Sequence, residues 1–253
     1  MDTLLVVLAA AAALALLAGG WWLVRSRRTE STPEAPPLLG AGWQFYSRPT
    51  ELEPPGTVFR IDSGKRRFMV DTLEVATQKG EEAVGRRRES VDANMGIVAR
   101  FFGLGPKLEV DAEHTETFAF ELKRASRQFV EDADLDAVLD PWLKQHELRP
   151  GSRYFVIRDT ISGNEITFHL DRRQVDNFGG EGSLTEAAKL EGNLHTSTSK
   201  SDYLLQQTFD MPMRIMFLPE ELRPLTRGLA EETVIGRRPV TKQLYWEEAT
   251  EED

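Results

Sequence analysis

From Thr3 to Val24 the chain runs TLLVVLAAAAALALLAGGWWLV without a charge, and Arg25, Arg27 and Arg28 follow at once. At ~1.5 Å of rise per residue such a run spans the ~30 Å hydrocarbon core of a bilayer. Trp21 and Trp22 fall where an interfacial aromatic belt would lie. A cleaved signal peptide needs a basic start and a shorter apolar core, whereas this chain has Asp2 and ends its run in bulky residues. The pattern predicts an uncleaved signal-anchor: a single transmembrane helix with a basic stop over residues 1–28. The arginines follow the span, so the positive-inside rule places everything after them in the cytoplasm. The expected setting is a bacterial-type inner (plasma) membrane, crossed once.

Residues 29–42 (TESTPEAPPLLGAG) carry three prolines and no periodicity, and read as a linker of polyproline II character. Globular texture begins at Trp43. Thr57–Ile61 and Arg66–Val70 flank turn chemistry at Asp62-Ser63-Gly64-Lys65 and predict a β-hairpin. Arg153–Asp159 and Glu165–Leu170, separated by Ser162-Gly163-Asn164, repeat that grammar and predict a second hairpin. The shared pattern admits either a duplication or chance reuse of common hairpin residues.

Two-residue alternation over Leu108–Ala112 and Phe118–Leu122 predicts strands with one buried face. Met95, Val98, Ala99 and Phe102 stand at helical spacing within Ser90–Phe102, and Gly103-Leu104-Gly105-Pro106 stops the run. Leu135, Val138, Leu139, Trp142 and Leu143 paint one stripe on a helix over Asp134–Leu148, continuous or divided at Pro141. Ser183 and Glu186 suggest a capping box opening a helix over Leu184–Glu191. Tyr203–Leu205 and Met213–Leu218 read as late strands. The order predicts an α+β domain over 43–240, mainly an antiparallel sheet with a few short helices. Residues 241–253 are expected to form a disordered acidic tail.

Composition narrows the partners. The chain has no cysteine, so its core alone must hold it. A net charge of −10 argues against nucleic acid, which requires a basic surface.

The pattern then supports a family comparison. Between Thr117 and Leu218 lie a strand (Phe118–Leu122), a short helix, an arginine-bearing hairpin (Tyr154–Leu170), Gly179-Gly180-Glu181-Gly182 and a closing strand (Arg214–Leu218). This succession resembles the second half of a gasdermin pore-forming domain, and Pro55–Val70 is similar to the early basic hairpin of that family. The resemblance implies a twisted sheet able to extend into membrane-spanning hairpins. The span at residues 3–24 departs from the family pattern.

The catalytic inventory is short. His114, His146, His169 and His195 stand in unrelated contexts, and none pairs at the spacing of a zinc site. There is no thiol, no Gly-x-Ser-x-Gly elbow and no phosphate-binding fingerprint. No enzyme, cofactor or metal is therefore expected, although scattered carboxylates and histidines such as His169 with Asp171 would suffice for an unrecognised site. Cations beside an anionic leaflet each gain ~1 kcal/mol, which makes Arg25, Arg27, Arg28, Lys65, Arg66 and Arg67 candidate membrane-surface contacts, with Arg86-Arg87-Arg88 as a second cluster. The expected partners are the lipid bilayer, through residues 3–24, and a protein partner or further copies of the chain. Three readings follow: a membrane-anchored partner-binding or assembling domain, a gasdermin-like membrane-inserting or pore-forming domain, and an enzyme with a carboxylate and histidine site.

Overall fold

A computed structural model describes residues 39–80, 83–104, 114–190, 192–199, 202–227 and 232–248. The predicted anchor, most of the linker and the strand over Leu108–Ala112 lie outside these residues. Among the described residues no helix is long and apolar enough to cross a membrane.

The architecture grows from two long strands. β7 (Arg153–Leu170) and β9 (Tyr203–Arg227) run antiparallel, with partners from Tyr154↔Leu222 to Leu170↔Tyr203. On the free side of β7, β2 (Thr57–Ile61) takes the first part and β6 (Thr115–Phe129) the rest. β3 (Arg66–Thr72) pairs with β2, while β5 (Ala83–Asn94) and the short β4 (Gln78–Lys79) pair with β6. The other edge of β9 is shared by β8 (Leu194–Thr198), β1 (Gln44–Thr50) and β10 (Glu232–Pro239). β11 (Glu247–Glu248) lies parallel to β3 and is the one parallel pairing among the described strands.

Alternation sends successive side chains of β7 to opposite cores. Phe155 and Ile157 join Phe59, Phe168 and Phe217 beneath α1 (Met95–Phe101), α3 (Arg172–Asn177) and α4 (Gly180–Leu190). Tyr154 and Val156 join Val58 and Leu222 beneath α2 (Asp132–Gln145). The predicted stripe on α2 meets this second core: Leu135, Leu139 and Trp142 are buried, with Val138 and Leu143 packed at its edge. Pro141 lies inside the unbroken helix. It and Asp140 face solvent, so water can serve the carbonyl that loses its partner.

Several predicted boundaries move. Ser162-Gly163-Asn164 is no turn: β7 passes straight through it, flanked on both edges by β6 and β9, so the second hairpin and its parallel with the first disappear. Tyr203–Leu205 and Met213–Leu218 belong to one strand. Ser90–Asn94 ends β5 instead of opening a helix; Asn94 caps α1 by accepting from the Gly96 and Ile97 amides at 3.1 and 3.4 Å. α4 begins at Gly180, and Ser183 donates to the Gly179 carbonyl from within its first turn. A capping box does occur, at Asp171 and Gln174 on α3. The core also continues past residue 240: Leu244 and Trp246 are buried, and the Gln44 side chain fastens this segment by accepting from the Leu244 amide at 2.9 Å.

Trp142 also donates from its indole to Asp71 at 2.8 Å and stacks on His146. Replacing Trp142 with Ala empties the centre of the second core, and the expected loss is ~3–5 kcal/mol in denaturant unfolding. A loss under ~1 kcal/mol would show that α2 does not depend on that packing.

Candidate functional site

β6, the second half of β7 and the first half of β9 form a part of the sheet whose two faces differ in kind. Across the three strands the register aligns Phe120, Phe168 and Leu205 in one row, and Leu122, Ile166 and Gln207 in the next. The aromatic members of this face pack beneath Phe45 and α1, with Phe168 centroids 4.8 Å from Phe102 and 5.3 Å from Phe45. Alternating with these rows stand Ala119, His169 and Leu204, then Glu121, Thr167 and Gln206, then Lys123, Glu165 and Thr208. None of these nine residues joins either core. Period-2 patterning builds one apolar and one polar face; on the polar one Glu165 and Thr167 are nevertheless buried. At the β5 edge the apolar side carries Glu89, buried beside its cross-strand partner Phe120.

Much of the polar face is internally paired, although the Thr167 hydroxyl is buried without a hydrogen-bond partner among the described residues. His169 Nε2 lies 3.1 Å from Glu121 Oε1, its Nδ1 lies 3.7 Å from Asp202, and Lys123 reaches Glu165 at 3.4 Å. Asp171, named with His169 as a candidate pair in the sequence, caps α3. His114 contacts Glu116 at 3.1 Å, His146 stacks on Trp142, and His195 sits on β8, so the four histidines do not converge. Among the described residues no group of three His, Asp or Glu side chains is placed to hold a metal ion.

The basic candidates separate. Arg25, Arg27 and Arg28 lie outside the described residues. Lys65 and Arg66 are exposed at the β2–β3 turn, with Lys65 in a left-handed conformation and its ammonium 5.2 Å from the centre of the Tyr245 ring. Arg67 is 3% exposed and does not share that surface. Its guanidinium donates to both carboxylate oxygens of Glu53, at 2.9 and 2.5 Å, and lies 4.3 Å from the Phe59 ring centre. A strand alternates, so neighbours in a basic run point to opposite faces. Arg86, Arg87 and Arg88 lie on β5 opposite Lys123, Leu122 and Glu121, and no strand pairing joins them to the β2–β3 turn.

A second group of charges, not singled out in the sequence, ties the far ends of β7, β9 and β10 to α2. Arg158 meets Glu220 at 3.3 Å, and Arg237 meets Glu220 and, at 2.9 Å, Asp136. Burial works against the Arg237 charge, but Asp136 and Glu220 outweigh it and hold its pKa above the ordinary value. The buried Asp159 accepts from Arg127, and desolvation still keeps its pKa above the ordinary carboxylate value. Burial opposes the Glu221 charge too, but hydrogen bonds of 2.7 Å each from Arg153 and Arg223 reverse the balance and lower its pKa.

A lowered folded-state pKa contributes stability above the unfolded carboxylate value, and that contribution is lost as the pH falls through the folded value. Glu221→Gln is therefore expected to unfold at lower urea than the wild type at neutral pH, with the gap closing as the pH drops below the ordinary carboxylate range. A gap that stays constant into acid would assign the effect to packing and not to charge.

No known protein family matches the sequence, and no curated protein does. Among solved structures the chain is similar to that of a bacterial gasdermin from Bradyrhizobium tropiciagri. The identity is 14%, the match covers 82% of this chain and 92% of that one, and the TM-score is 0.46.

Proposed function

We propose that this chain is a bilayer-tethered domain that assembles at the membrane and inserts the two-faced part of its sheet, in the manner of a gasdermin-like pore-forming domain. The observation that carries the reading is the set of aligned rows across β6, β7 and β9. A transmembrane β-strand needs ~9–11 residues alternating between lipid-facing and water-facing side chains. β6 has 15 residues and β7 has 18, and one unbroken alternation runs over Thr115–Lys123 on β6 and over Glu165–Leu170 on β7. Phe118, Phe120, Leu122, Ile166, Phe168 and Leu170 would face lipid once the helices over them move aside. Glu121, Lys123, Glu165, Thr167 and His169 would line water. Residues 3–24 would hold the domain at the bilayer, with Arg25, Arg27 and Arg28 keeping it on the cytoplasmic side.

The distribution of exposed apolar residues favours this reading over docking of a separate protein. The large exposed hydrophobics among the described residues are Leu52, Met69 and Met211, on three different segments. A docking surface would instead gather such residues into one patch.

Dye-loaded vesicles test the proposal. The full-length chain reconstituted into them should release a small trapped dye in proportion to protein, while a peptide of residues 1–42 should release none. Retention of dye at every protein-to-lipid ratio, or equal leakage by the peptide, would overturn the reading.

A further inference from the structure

The sheet carries a fault that the strand-insertion reading does not use. On β6, Arg124 adopts a left-handed backbone with φ 54° in the middle of an extended strand, and pairing with β5 slips between Ala83 and Arg86. On β7 the register against β9 slips on both sides of Gly163. A side chain at that glycine would press within 3.3 Å of Ile215 Cδ1 and the Lys123 carbonyl. On β9 the step from Thr208 to Met213 answers only the step from Glu165 to Gly163, so Phe209–Pro212 bulges outward and exposes Met211. Irregularities on three adjacent strands thus fall at one level.

A cleft of about 460 Å³ opens there. Its floor is ordered by the register: Ser126 faces Ser162, Ser162 faces Arg214, and Gln128 faces Lys79 on β4. Lys79, Arg124 and Arg214 bring three cations to its wall, against the single carboxylate of Glu51. Arg214 uses one terminal nitrogen on the Glu51 main-chain carbonyl, and its buried Nε has no hydrogen-bond partner. Among the described residues neither Lys79 nor Arg124 has an ion-pair partner. In a chain of net charge −10 this wall carries three cations and one carboxylate. A non-glycine residue held at positive φ is a common mark of a functional site.

We infer that this cleft binds a phosphate-type oxyanion. The Arg124 guanidinium fork, the remaining nitrogens of Arg214 and an ammonium match a tetrahedral anion of charge near −2. Ser126, Ser162 and Gln128 supply neutral donors at the base, as phosphate oxygens require. The anion is either the headgroup phosphate of an anionic lipid or a soluble phosphate. The chemistry of the cleft is the same for both.

The test uses the full-length chain in neutral detergent micelles, followed by thermal unfolding. Inorganic phosphate at about ten times its dissociation constant should raise the midpoint by about 3–5 °C beyond chloride at equal ionic strength. Mixed micelles containing phosphatidylglycerol should do the same relative to phosphatidylcholine if the source is lipid. A shift with phosphatidylglycerol alone assigns the cleft to a headgroup, and a shift with inorganic phosphate alone assigns it to a soluble ligand. Arg124→Gly removes a cation while suiting the left-handed backbone, so it should fold and lose the shift; Lys79→Gln should weaken it. No shift with either phosphate source, or a shift unchanged in both variants, overturns the inference. Neither result bears on vesicle leakage, so the two proposals fail separately.

Discussion

The ladder between β7 and β9 is the constraint on which the rest depends. These strands hydrogen-bond to each other nearly end to end, and every other strand except β3, β4, β5 and β11 borders one of them directly. Both cores hang from the same ladder, one on each face of β7. A register slip of one residue would exchange those faces and turn Phe155, Ile157 and Phe168 toward the wrong side. The bulges on β9 at Ile215 and Phe209–Pro212, beside Gly163, let two strands of this length stay paired while the sheet changes character along them.

That change of character is the structural basis of the functional reading. Where β2, β1 and β10 flank the ladder, both faces are covered: one by the aromatic core, the other by α2 and the ion pairs of Arg237 and Glu220. Beyond the fault one face carries the aromatic core, and the other is polar and partly self-paired, with Glu165 and Thr167 buried on it. The covered face is roofed by short helices, by Phe102 and by Phe45 of β1.

The sequence disclosed these features unevenly, for physical reasons. Alternation at Phe118–Leu122 and the stripe on α2 were legible because each pattern is local and each face meets a single environment. The length of β7 was not. Ser162-Gly163-Asn164 has the chemistry of a turn, and only neighbours on both edges, from segments some forty to fifty residues away, keep the chain extended through it. Pro212 hid the continuity of β9 in the same way, since a bulge accommodates a proline that a regular ladder would refuse. Ser90–Asn94 carried apolar residues compatible with either period, and pairing with β6 decided it. Arg67 looked like part of a surface cluster because its partners, Glu53, Phe217 and Trp246, are distant in sequence. The cationic cleft was invisible for a related reason: Lys79, Arg124 and Arg214 come from three strands, and only their register brings them together.

The central claim is that the apolar rows of the two-faced sheet exchange their helices for lipid. The chain has no cysteine, so single cysteines can be placed one at a time through Phe118–Lys123 and labelled with a fluorophore in the vesicle-bound protein. The account predicts alternation: labels at 118, 120 and 122 quenched from within the bilayer, and labels at 119, 121 and 123 quenched from water. Labels that report the same environments with and without vesicles, or quenching with no two-residue period, would contradict it.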